Sequence, residues 1–191
     1  MNKSPHVSGV RQALREATSD SHSHVDGLFS AYRLDSESDY AAFLTAHARA
    51  LGALESVARP ESPRLPMIAA DLAAMDMAMP APLSLADPDR DGYRWGLLYA
   101  LEGSRLGGAM LARRVAPGLP HAYLSAVHGK GGWVAFQQAL DRAAADGGED
   151  RGIAGALLRG RGAQANVALQ AEQVHARTQH GGGVVLVEVQ A

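Results

Sequence analysis

Two clusters of residues in this sequence have the types and spacing to do chemistry. In LREATSDSHSHVDGLF, residues 14–29, the apolar Leu14, Ala17, Val25 and Leu28 recur at helical spacing. His22 falls at the edge of that stripe, whereas His24, two residues on, points about 200° away from it. Asp26 follows His22 by one helical turn, where its carboxylate could accept the proton of one ring nitrogen and leave the other free for a metal. Arg15, two turns before His22, could reach the anionic edge of anything bound there. The same pattern also suits a histidine simply satisfied by Asp26 or a backbone carbonyl, as His47 on a second apolar stripe would be.

The second cluster is EGSRLGG, residues 102–108, inside an apolar helical segment. Gly103, Gly107 and Gly108 should each cost ~1 kcal/mol relative to alanine there, so something must compensate. Gly103 and Gly107 share a helical face and leave a strip of bare backbone, on which either a neighbouring helix or a flat cofactor could lie. The segment is not a nucleophile elbow, because Ser104 directly follows the first glycine; nor is it a dinucleotide-binding loop. Arg113 and Arg114 close this helix, where interaction with the helix dipole accounts for them.

The elements that must position these clusters are helical. Apolar periodicity predicts helices over about 8–29, from about 40 to 54 (Tyr40, Phe43, Leu44, His47, Leu51 and Leu54 on one face), 68–77, 93–115, 133–145 and 153–177. Proline and glycine clusters separate them, among them MPAPLSLADPDRDG and HGKGG. The expectation is an all-α, single-domain bundle over 1–191, with a core from about 8 to 178 and a flexible tail at 179–191.

Composition narrows the chemistry. The chain has 191 residues, 47% of them hydrophobic, enough to bury one continuous core. A net charge of −2 provides no field for nucleic acid or an anionic membrane surface. The absence of cysteine excludes disulfides, thiolate haem ligation, cysteine-held iron–sulfur clusters and cysteine nucleophiles. No apolar run approaches the ~20 residues of a membrane helix, and the N-terminus lacks a signal core, so the chain reads as soluble and cytoplasmic.

An apolar-edge histidine backed by a carboxylate, a cation two turns earlier and a glycine-softened helix suit a planar, anionic, iron-bearing ligand clamped between two helices, a description that haem meets. At these residues the sequence resembles the haem oxygenases, particularly the small bacterial ones associated with bacteriophytochromes. LREATSDSH is similar to the family's proximal-helix signature, YALEGSRLGG to the bacterial form of its distal-helix signature, and YAAFLTAHARALGALE to the helix between them. The resemblance spans about residues 10–145 in the same order.

The resemblance implies haem as both cofactor and substrate, held between a proximal and a distal helix. His22 would ligate the iron, Arg15 would pair with a propionate, and Asp26 matches an acidic position after the ligand. Gly103, Gly107 and Gly108 would provide the distal backbone. Ser104 stands where animal members carry an aspartate, so no single catalytic acid is named among Gly103, Ser104 and Gly107. The implied reaction is O2-dependent opening of haem to biliverdin, carbon monoxide and ferrous iron. Its electrons would come from a ferredoxin or flavin reductase, and a bacteriophytochrome would be a possible recipient of the biliverdin. The stretch from 156 to 183 lacks the aromatic closing helix usual in the family, so propionate contacts from that region are not transferred. The alternatives are a haem carrier, or a helical bundle of related architecture that binds another molecule or a partner protein.

Overall fold

The computed structural model describes residues 11–12, 15–16, 19–20, 23–24, 27, 29–85 and 91–146, and within these every regular element is helical. The described positions from 11 to 30 are all helical, in keeping with the first predicted helix. The helix predicted over 153–177 and the tail at 179–191 lie outside the described residues.

Helix α1, Glu37–Ala58, starts from Ser36, whose extended backbone (φ −100°, ψ 123°) sets the entry, and its first turn carries Glu37 and Asp39 against the positive end of the dipole. It stops at Arg59, which takes a left-handed conformation (φ 48°) and donates its N–H to the Glu55 carbonyl. Pro60 follows, and the residue before a proline is disfavoured in the helical region, so the chain accepts a left-handed arginine at a cost of about 1 kcal/mol.

Helix α2, Leu65–Ala74, carries a proline in its first turn and is followed by Met75; it begins three residues before the expected start at Ile68 and stops three short of the expected end at Met77. Asp76, at φ 56°, turns the chain out of the helix. Helix α3, Asp91–Ala112, contains the glycine cluster, and α5, Gly132–Asp146, follows the glycine turn. Between them lies α4, Ala122–Ser125, a single turn that periodicity does not reveal.

Two buried carboxylates start the short helices. Glu55 of α1 accepts the backbone N–H groups of Arg64 (2.7 Å) and Leu65 (3.1 Å) at the head of α2. Asp71 of α2 does the same for Ala122 (2.9 Å) and Tyr123 (2.8 Å) at the head of α4. Each anion replaces lost hydration with amide donors at a positive helix end. The two contacts fix α2 on α1 and α4 on α2.

The core then closes around fully buried Tyr40, Phe43, Leu44, Ile68, Leu72 and Leu97. Burying each such side chain contributes roughly 1.5–3 kcal/mol before entropy is set against it. The Tyr40 hydroxyl donates to the Pro120 carbonyl at 2.8 Å, which satisfies the polar tip of a buried ring. No described helix is long and apolar enough to cross a membrane.

Candidate functional site

The three glycines of α3 have different surroundings. A Cβ on Gly108 would stand 2.8 Å from the Leu124 carbonyl oxygen, so Gly108 is buried to let α4 approach the α3 backbone. A Cβ on Gly103 would make an ordinary 3.9 Å contact with the Trp133 ring, and one on Gly107 would meet nothing within 4 Å among the described residues. Gly107 is exposed, and Leu106 (50% exposed) and Met110 (72%) flank it on the same side of the helix. Positions 103, 106, 107 and 110 therefore form an open stripe of bare backbone and apolar side chain.

Trp133 bounds this stripe on one side. Its ring centroid lies 5.8 Å from Tyr99, 5.8 Å from His128 and 5.6 Å from Phe136, which in turn lies 6.1 Å from Trp95. The loop before α5 is tied down by Glu102, whose Oε2 accepts from Arg105 Nε and sits against His128 Nε2, both at 2.9 Å. Arg105 also donates to the carbonyls of Ala126 (3.2 Å) and Ser62. Gly131, at φ 78°, and Gly132, whose Cβ would press on His128 at 3.2 Å, make the tight turn that carries Trp133 into place.

A polar group borders the stripe at Ser104. Its hydroxyl donates to the Leu101 carbonyl (2.8 Å) and accepts from Arg64 Nη2 (2.6 Å). The same Arg64 nitrogen donates to the Leu101 carbonyl (2.9 Å), and the guanidinium carbon lies 5.1 Å from the centroid of the Tyr123 ring. Burial pulls the Arg64 pKa down and pushes that of Tyr123 up, yet a guanidinium remains charged in proteins.

His47 is half-buried between the rings of Phe43 (4.0 Å between centroids) and Phe29 (4.2 Å), with Tyr123 at 5.8 Å. Burial pushes its pKa down to about 4, the Phe43 carbonyl at 3.0 Å from Nδ1 opposes this, and the charge of Arg64 adds to it. At neutral pH the ring is uncharged: Nδ1–H donates to Phe43, and Nε2 is an acceptor. His47 thus fills the apolar face of α1, as its spacing predicts.

The helical positions from 11 to 30 are held near both ends. Arg11 donates from Nε to both carboxylate oxygens of Asp141 on α5 at 3.0 Å and makes a further bond from Nη2, while Phe29 packs edge-on against Phe43 at 5.5 Å. Arg15 and His24 are exposed and helical. His22 and Asp26 lie outside the described residues. Sequence reasoning did not single out Arg64, Trp133, Glu102 or His128; the HGKGGW turn was the available signal for Trp133, and nothing local marks Arg64.

This arrangement of helices has known counterparts. The fold matches that of a haem oxygenase from Neisseria meningitidis, solved with NO and with CO bound, at a TM-score of 0.72 and 20% identity, covering 87% of this chain and 92% of that one. The chain therefore has the all-α haem oxygenase fold, as its motifs led one to expect. In sequence it is 37% identical over 89 residues to a protein named heme oxygenase from Xanthomonas campestris pv. campestris, over 41% of this chain and 51% of that protein. The chain thus spans about half the length of that curated relative. No protein-family model matches it.

Proposed function

We propose that this protein is a haem oxygenase, which takes haem as substrate and opens its ring with O2 and externally supplied electrons to give biliverdin, carbon monoxide and ferrous iron. The observation that carries this reading is the open stripe of α3, where Gly107 offers bare backbone that no described residue covers, between exposed Leu106 and Met110. A flat, largely apolar ring fits such a strip, and a side chain at Gly107 would fill the space it needs. The sequence likeness to a protein named heme oxygenase supports the same reading.

In this reading His22 binds the iron, Asp26 orients the imidazole from behind, and Arg15, exposed on its helix, pairs with a propionate. Gly103 and Gly107 line the distal side, while Gly108 acts one step back by seating α4. Bound haem supplies the iron that meets O2 and the carbon that is oxidised. The chain's residues bind and orient the ring. The Ser104 hydroxyl donates to the Leu101 carbonyl, so in this reading it is not itself assigned as the acid, and protons reach the distal side through water.

With no cysteine in the chain, the electrons come from a separate donor, which we propose is a ferredoxin or flavin reductase in the cytoplasm, with a bacteriophytochrome as recipient of the biliverdin. The test is an absorbance time course of the protein with one equivalent of haemin in air after a reductant is added. Loss of the Soret band with growth of a broad red absorption is expected. A Soret band that forms and persists under both ascorbate and a reductase system would replace this reading with a haem carrier, and no band at all would return the stripe to protein contacts.

A further inference from the structure

We infer that Arg64 is a positioning residue that sets the charge environment of the open α3 face, acting through Ser104. The inference rests on the haem reading and deepens it by naming what stands in for an acidic side chain beside the bare backbone.

Arg64 is only 3% exposed, and its backbone is pinned by the Glu55 carboxylate at the head of α2. From that fixed point its guanidinium crosses to α3, donates to the Leu101 carbonyl and the Ser104 hydroxyl, and rests over the Tyr123 ring. Among the described residues no carboxylate is in ion-pair contact with this guanidinium; Glu55 is occupied with backbone amides, and Glu102 with Arg105 and His128. Glu55 and Glu102 act on this charge through space and Arg105 opposes them, but neither carboxylate touches the guanidinium, and in these buried surroundings such interactions are weakly screened.

Ser104 precedes Gly107 by three residues and so borders it on the helix surface. Its hydroxyl accepts from the cation and donates to a carbonyl, which fixes its rotor and leaves an oxygen polarised by Arg64 beside the strip. A buried positive charge one hydroxyl away from the bare backbone favours negative charge on whatever lies against it. A purely mechanical role, stapling α2 to α3, would require the same hydrogen bonds but would have no electrical effect at the face.

The readout that separates the two is the C–O stretching frequency of the carbon monoxide complex of the ferrous haem-loaded protein, which falls as the local potential becomes more positive. Arg64→Met should shift the band upward, Arg64→Lys should return it towards the wild-type position, and Ser104→Ala should shift it without loss of helicity in the haem-free protein. The Ser104→Ala and Arg64→Lys proteins decide the matter if Arg64→Met does not fold. Wild-type protein that cleaves haem, with a band indifferent to all three substitutions, would overturn this inference alone. Wild-type protein that forms no haem complex would overturn the proposed function and this inference with it.

Discussion

Gly107 and Gly108 are neighbours in sequence, yet alanine should have opposite effects at the two. Replacing glycine by alanine inside a helix gains about 1 kcal/mol from reduced backbone entropy in the unfolded chain. At 107 no described residue lies within 4 Å of the added methyl, so that gain should appear almost whole, raising Tm by about 2–4 °C for a chain of this size. At 108 the methyl would stand 2.8 Å from the Leu124 carbonyl oxygen, a backbone atom in a turn that Asp71 holds by two hydrogen bonds. Overpacking of that kind costs about 1–3 kcal/mol, which outweighs the propensity gain and leaves a net loss of up to about 2 kcal/mol. Haem affinity should move the other way at 107: a methyl under a flat ring should weaken binding roughly ten- to a hundredfold, the equivalent of about 1–3 kcal/mol. Thermal unfolding of the haem-free proteins and haemin titrations followed at the Soret band measure both quantities. A Gly107→Ala protein that loses stability, or that binds haemin as tightly as wild type, would refute the assignment of the open face; a more stable Gly108→Ala protein would refute the close approach of α4.

Other consequences can be measured independently. His47 has its pKa lowered from 6.5 to about 4, so the unfolded chain binds a proton that the folded one rejects; stability is full above about pH 6.5 and is lost as pH falls towards 4. The loss is at most about 3 kcal/mol, and urea titrations between pH 7 and pH 4 should show this slope flattened in His47→Phe, where an apolar ring occupies the aromatic pocket. Asp71→Ala removes a 2% exposed carboxylate from two backbone donors, and chemical denaturation should show a loss of about 2 kcal/mol. His22→Ala should abolish the wild-type haem absorption spectrum, and unchanged iron ligation would rule out its role as the axial ligand.

Helical spacing was legible in the longer described helices. The stripe of Tyr40, Phe43, Leu44 and Leu51 is buried where periodicity put it, and the glycine segment lies in α3 as expected. These features are local, because an apolar repeat every three or four residues has one geometry that hides it. The one-turn α4 escaped notice for the opposite reason: four residues have no period, and that turn exists because Asp71, 51 positions before Ala122, caps it.

What the sequence determined by itself was the kind of elements, their order and the presence of bare backbone at 103, 107 and 108. A missing Cβ says that something comes close or that space is left open, but not which. Only the tertiary structure decided that Gly108 serves the Leu124 carbonyl while Gly107 faces open space, and that a cation 40 residues before Ser104 in the chain holds its hydroxyl. Those choices depend on contacts between distant segments, which the packing of the whole core brings together and no local pattern encodes.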